Sequence, residues 1–425
     1  MGGVSIGDMV SEGLRRDVGL FGAVAYGVGT ILGAGVYALI GIAAGKAGNA
    51  VWLSFAIAAG VAAFSGLSYA RLSVLFPVSG AEYVYVEESF RSKFWAFIVG
   101  WLVLISSIIS AAAVALGFGG YLTSLFGIPM ELGAGVLIFV LSVVSYIGIR
   151  ESLALNVVLT LIELGGIFII IVLGFGYLGS VDLTTTPTGL SGVIGAVGSI
   201  FFAFIGFEGL VKIGEETKDP TITIPRALLL SLIITTVIYI LVAVSVVSIL
   251  PYQELAVSTA PLSDAAMRAQ GPGAAFVLSI VALISTANTV LIILIATSRI
   301  AYGMSYRSAL PSILTSLHPE RGTPRVAILF SMIGSIAFCF LGGIELTANA
   351  ANFTIFLVFL AVNLAVIQFA RKGSKIGKWY AISAIMGAVT SVLMLTQFGW
   401  EVMLLAATIT VIGAGVFKLV ERGLR

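Results

Sequence analysis

Long apolar runs separated by short polar stretches set the pattern of the chain. A run such as "LLLSLIITTVIYILVAVSVVSIL" is apolar throughout, without the in–out alternation of a membrane β-strand. Runs of this length predict helices that cross a bilayer, since a hydrocarbon core of about 30 Å takes roughly 20 apolar residues in helical form. The first six predicted spans are Leu20 to Ala44, Ala50 to Tyr69, Phe94 to Leu116, Leu132 to Ile149, Leu155 to Gly176 and Val193 to Val211. The other six are Ala227 to Leu250, Ala274 to Ala296, Val326 to Leu341, Ala351 to Ala370, Trp379 to Leu395 and Val402 to Phe417. The expected fold is therefore an all-α integral membrane protein of about 12 spans.

Composition agrees. Hydrophobic residues make up 59% of the 425 and charged residues only 10%, whereas a soluble domain needs roughly 25% charged residues to cover its surface. The charges that remain set an orientation. With the N-terminus in the cytoplasm, every Lys and Arg except Lys46 and Arg268 falls in an inner segment, as the positive-inside rule demands. An even number of spans then puts both termini in the cytoplasm of a cell (inner) membrane. Basic residues spread over all the inner loops give no nucleic-acid patch. The start of the chain, with acids ahead of its first apolar run and no small-residue cleavage site, predicts no removable leader.

Two spans are interrupted by glycine. The first contains "GVGTILGAGVY", with Gly27, Gly29, Gly33 and Gly35; the sixth reads "FFAFIGFEGL", with Gly206 and Gly209 beside Glu208. Small residues also serve plain helix packing, and Gly29 and Gly33 have GxxxG spacing. The two interruptions, however, open two successive sets of five spans. Glycine-interrupted helices at matching places in two halves point to a transporter site built from inverted repeats. A broken helix frees N–H groups that bind a carboxylate and C=O groups that bind an ammonium, so a zwitterionic amino acid suits both. The expected organisation is a tail (1–19), a first repeat (20–176), a second, inverted repeat (190–370) and two further helices with the C-terminus (371–425).

Charge at depth is the second signal. Glu163 in span 5 and Glu208 in span 6 are the acids that fall within spans, where ionisable groups are costly and tend to mark a relay or pathway. The plainer alternative is a neutral carboxyl bonded to a neighbouring helix. Other chemistry is not visible. Cys339 and His318 are each single, excluding an internal disulfide and arguing against a histidine metal site. Beside Gly45 and Lys46, Ala47 stands where a phosphate loop needs Ser or Thr, and no HExxH or GxSxG occurs. No cofactor, metal or enzymatic machinery is expected.

Four stretches in order are similar to the amino acid/polyamine/organocation transporter family. They are "GTILGAGVY" in span 1, "YARLSVLFPVSGAEYVYVEESF" after span 2, "FFAFIGFEGLVKIGEETKDPTITIPRA" at span 6, and "SRIAYGMSYRSALPSILTSLHPERGTPRVAI" after span 8. The second carries Pro77, Gly80, Tyr83 and Tyr85 of the family's inner loop; the acidic run and "IPRA" of the third are the most specific. The resemblance implies a leucine-transporter-like 5+5 inverted repeat with spans 1 and 6 unwound around the substrate. By position, backbone N–H groups near Gly33, Ala34 and Gly35 would meet the substrate carboxylate, and carbonyls near Phe202, Ala203 and Ile205 its amino group. Phe202 stands where an arginine/agmatine exchanger of the family has a gating tryptophan, and Glu208 matches that exchanger's acid.

Two departures stand out. Arg307 and Ser308 replace an Asp-Gly pair ahead of Leu310 and Pro311. Glu163 replaces a lysine that in some proton-linked members substitutes for a sodium ion. A carboxyl could instead take up a proton or help bind a cation, with Ser285 and Thr286 of span 8 as hydroxyl neighbours. The expectation is a secondary carrier of neutral or varied L-amino acids working by alternating access, with protons as a candidate coupling ion. An exchanger of amino acids or polyamines, a channel, a membrane enzyme and a nontransporting receptor stay open as alternatives. Membrane lipid and the amino acid are the expected partners; oligomeric state is left open.

Overall fold

The computed structural model describes residues 18–76, 81–147, 153–210, 217–319, 323–373 and 376–423. Sixteen α-helices are named here in chain order. The first eight are α1 (Leu20–Ile31), α2 (Gly35–Ala47), α3 (Val51–Leu75), α4 (Ala81–Phe90), α5 (Lys93–Phe126), α6 (Met130–Ile147), α7 (Leu153–Phe175) and α8 (Leu190–Ile200). Then come α9 (Pro220–Ile249), α10 (Tyr252–Val257), α11 (Pro261–Gln270), α12 (Pro272–Tyr306), α13 (Arg325–Leu341), α14 (Ile344–Arg371), α15 (Lys378–Leu395) and α16 (Trp400–Gly423). Among the described residues, 10 helical stretches are long and apolar enough to cross a membrane, and α1 and α13 are apolar but shorter. Each predicted span meets one of these segments, with α1 and α2 together forming the first.

Local chemistry fixes many ends. Pro220, Pro261 and Pro272 open α9, α11 and α12, where the missing N–H costs nothing and φ is pre-set. Ser92 caps α5 by accepting the Trp95 N–H, and Gly127 closes that helix in the left-handed region. Outward faces are apolar at helical spacing: Leu132, Val136, Phe139, Val143 and Ile147 of α6 are all exposed. A stripe of that kind suits lipid rather than water.

Several expectations need correcting. The segment after span 2 is not wholly a loop, because residues 81–90 form α4, packed on α5 and α14; Pro77 and Gly80 lie outside the described residues. The connection between spans 7 and 8 holds two short helices, α10 and α11, whose mixed polarity hides them from a search for apolar runs. Spans 3 and 8 extend well beyond their apolar cores, to 34 and 35 residues. Ser308 adopts φ 58°, so it takes the left-handed backbone a glycine would take freely.

Packing repeats with a shift of five spans. Span 1 packs on span 6 (α2 on α8), 2 on 7 (α3 on α9), 3 on 8 (α5 on α12) and 4 on 9 (α6 on α13). Cross-pairs come in matched sets: α1 with α9 and α3 with α8, α5 with α13 and α6 with α12, α7 with α12 and α14 with α5. This is the contact pattern that two halves related by a two-fold axis would produce. With five spans in each, equivalent spans would run opposite ways across a bilayer, as in an inverted repeat.

Candidate functional site

The two interruptions face each other. In span 1, Leu32 leaves the helix with ψ 87° and α2 restarts at Gly35, with no side chain capping its N-terminus. In span 6, α8 gives way to a 3-10 turn, Phe201–Phe204; Ile205 then turns extended and Gly206 takes φ 121°. A Cβ added to Gly35 would sit 2.7 Å from the Ala203 Cα, and one on Gly206 would sit 2.4 Å from the Thr30 carbonyl oxygen. The broken segments therefore touch backbone to backbone, a contact only glycine permits.

Between them lies a cavity of about 50 Å³, lined by Thr30, Ile31, Gly33, Ala34, Gly35, Ser110, Val114, Phe202, Ala203, Ile205, Thr289 and Ile293. The six positions expected around the substrate all fall on this wall. Thr30, Ile31, Ser110, Val114, Thr289 and Ile293 were not anticipated, although Thr289 lies one turn beyond Ser285 on α12 and its hydroxyl donates to the Ser285 carbonyl at 3.0 Å. None of the lining side chains is ionisable. The volume is a third of the ~150 Å³ apolar cavity that can hold benzene, so these walls have to part to admit an amino acid.

The two acids are placed differently. Glu163 on α7 is 3% exposed and does not line the cavity; the Ser285 hydroxyl donates to its Oε1 at 2.6 Å. The Tyr37 hydroxyl donates to the Glu163 carbonyl at 2.8 Å, tying α7 to α2 one half-turn from the break. Thr286 does not join Glu163 in a hydrogen bond; its hydroxyl turns back to the Ala282 carbonyl of its own helix at 2.7 Å. Glu208 sits in the second break, where its Oε2 accepts the Gly206 N–H at 2.9 Å and so steadies the turn. At the far end of α2, Lys46 pairs with Glu345 of α14 at 2.6 Å and donates to Ser199 of α8 at 2.8 Å. Among the described residues, no group of three or more His, Cys, Asp or Glu could hold a metal.

A family model described as amino acid permease matches residues 18–414, nearly the whole chain and both breaks. The chain belongs to the amino acid permease family. Among its relatives, the branched-chain amino acid permease of Bacillus subtilis is 25% identical over 450 residues, covering 98% of this chain and 97% of the relative. An uncharacterised transporter of Mycobacterium tuberculosis is 32% identical over 412 residues, covering 96% and 91%. Mouse cationic amino acid transporter 4 is 30% identical over 388 residues, with 84% of this chain and 60% of the relative aligned. This permease is thus a secondary amino acid transporter embedded in a membrane by many spans, and not an enzyme.

Proposed function

We propose that this permease takes up neutral L-amino acids with a broad range of side chains, held near mid-membrane between the two breaks and moved by alternating access. One observation carries the reading: the cavity is walled by two interrupted backbones and by no ionisable side chain. The uncapped N-terminus of α2 suits a carboxylate, because its first N–H groups lack helical partners and its dipole favours an anion. Carbonyls near Phe202, Ala203 and Ile205 suit the ammonium. Ser110, Val114, Thr289 and Ile293 are left for the substrate side chain. A guanidinium or second ammonium there would lose its water without gaining a carboxylate, which costs several kcal/mol. The relative named for branched-chain substrates fits the apolar Val114 and Ile293; the one named for cationic substrates is the outcome that the test below discriminates.

In this reading Phe202, 7% exposed, covers the substrate as a gate. Glu163 exchanges the coupling proton, since movement of α12 against α7 would change the Ser285 hydrogen bond to its carboxyl. Glu208 holds the second break in shape as that movement occurs. The halves spanning residues 20–176 and 190–370 rock against each other, with residues 371–425 alongside, both termini in the cytoplasm and the protein in the cell membrane.

The test is uptake of a labelled amino-acid mixture into proteoliposomes, with and without an inward proton gradient, for the wild type and Glu163→Gln. Expected is gradient-stimulated uptake of neutral amino acids that loses its stimulation in the variant. Transport restricted to arginine or polyamines would overturn the selectivity. Uptake indifferent to gradient and variant would overturn the role of Glu163, and counterflow would then identify exchange.

A further inference from the structure

Tyr239 lies inside α9, wholly buried, in a helix that contributes nothing to the cavity wall. Its hydroxyl stands 2.7 Å from the Ile31 carbonyl oxygen and 2.9 Å from that of Ala203. The first of these is the last helical residue before the break in span 1; the second lies in the 3-10 turn of span 6. Both residues line the cavity. The ring is held between Phe55 and Phe204, each with its centroid 5.3 Å away, the second edge-on, so the hydroxyl has little freedom to wander. A phenol has one proton to donate, whereas each carbonyl has two lone pairs. The one proton is shared between the two oxygens, holding both within reach of the same hydroxyl and leaving acceptor capacity on each.

We infer that Tyr239 is a positioning residue for the amino group of the substrate: it fixes the spacing of the Ile31 and Ala203 carbonyls so that they converge on one ammonium. The inference rests on the proposed binding of the ammonium between the two breaks. Tyr239 would act through backbone atoms and on the part of the substrate that all amino acids share. Loss of its hydroxyl should therefore weaken every substrate alike, whatever the side chain.

Tyr239→Phe keeps the ring and its packing and removes only the hydroxyl. KM and Vmax would be measured in proteoliposomes for alanine, leucine and phenylalanine, together with the elution profile of the purified variant. Expected is a rise in KM of roughly 5- to 30-fold, the effect of losing one to two hydrogen bonds, shared by all three substrates, with Vmax within about twofold of wild type. An unchanged KM, a rise confined to one substrate, or a fall in Vmax alone would overturn the inference; the last two would mark a side-chain contact and a purely structural role. If Tyr239→Phe does not yield monodisperse protein, Phe55→Leu loosens the ring while keeping the hydroxyl. A smaller KM rise common to all three is then expected, and an unchanged KM overturns the inference. Wild-type protein that moves none of the three would instead defeat the proposed function.

Discussion

Gly35→Ala tests whether the direct contact between the two breaks is needed for transport. The added Cβ would lie 2.7 Å from the Ala203 Cα and 3.1 Å from both its N and Cβ. Ordinary contact begins near 3.4 Å, so the broken segments must separate by about 0.7 Å (3.4 − 2.7). The obstacle is backbone on both sides and cannot swing away as a long side chain would. Overpacking of this kind costs about 1–3 kcal/mol, charged to the arrangement in which the breaks touch. A coupling of that size corresponds to a roughly 5- to 150-fold fall in transport efficiency. The assay is the initial rate of labelled leucine uptake per reconstituted protein. Two controls separate contact from mere loss of glycine. Gly195→Ala in α8 meets nothing within 4 Å, and Gly29→Ala in α1 meets only the Thr160 methyl at 3.6 Å. Both should transport normally, since alanine is the better helix former. Wild-type rates for Gly35→Ala, or an equal loss in Gly29→Ala, would refute the reasoning.

Two further predictions concern the gate and the scaffold. Phe202→Ala should raise KM and speed the leak of preloaded substrate, while Phe202→Trp retains the cover; equal leak from wild type and the alanine variant would exclude a gating role. Gly387→Ala would put a Cβ 2.6 Å from the Asn363 Oδ1, on the side chain that accepts from Ser68 at 2.6 Å and donates to Ser65 at 3.0 Å. That junction of α3, α14 and α15 should lose about 1–3 kcal/mol, seen as a lower melting temperature with KM of the folded fraction unchanged; an unaltered melting curve would contradict it.

The spans were legible because bilayer thickness forces long apolar runs, and these survive any detail of packing. That two helices break was also legible, but not which glycines do the breaking. Gly27 and Gly29 stay within α1, and a Cβ on Gly27 would strike the Ser231 hydroxyl at 2.3 Å, so that glycine serves close packing. A glycine's role depends on what lies opposite, and Ser231 is some two hundred residues away. The same holds for the rest of the site. Ser110 and Tyr239 follow other polar residues (Ser106 and Thr235) in largely apolar helices, and nothing in their own neighbourhoods says which backbone they meet. Thr289 could have been found, since it is four residues beyond Ser285 and shares its helix face. The helices α4, α10 and α11 escaped because they are only 10, 6 and 10 residues long and of mixed polarity, without the run length that marks a crossing.

The repetition of contacts with a shift of five spans has a consequence for energetics. If each half can adopt the shape of the other, exchanging their shapes turns an opening toward one side of the membrane into an opening toward the other. To a first approximation the two end states are then built from the same interactions and have equal free energy. The bias between them must come from contacts without a counterpart in the other half. Among the described residues, the Lys46–Glu345 pair is of this kind. In such a molecule the idle orientation of the carrier is set at its periphery, and selection can retune it without touching the residues that hold the cargo.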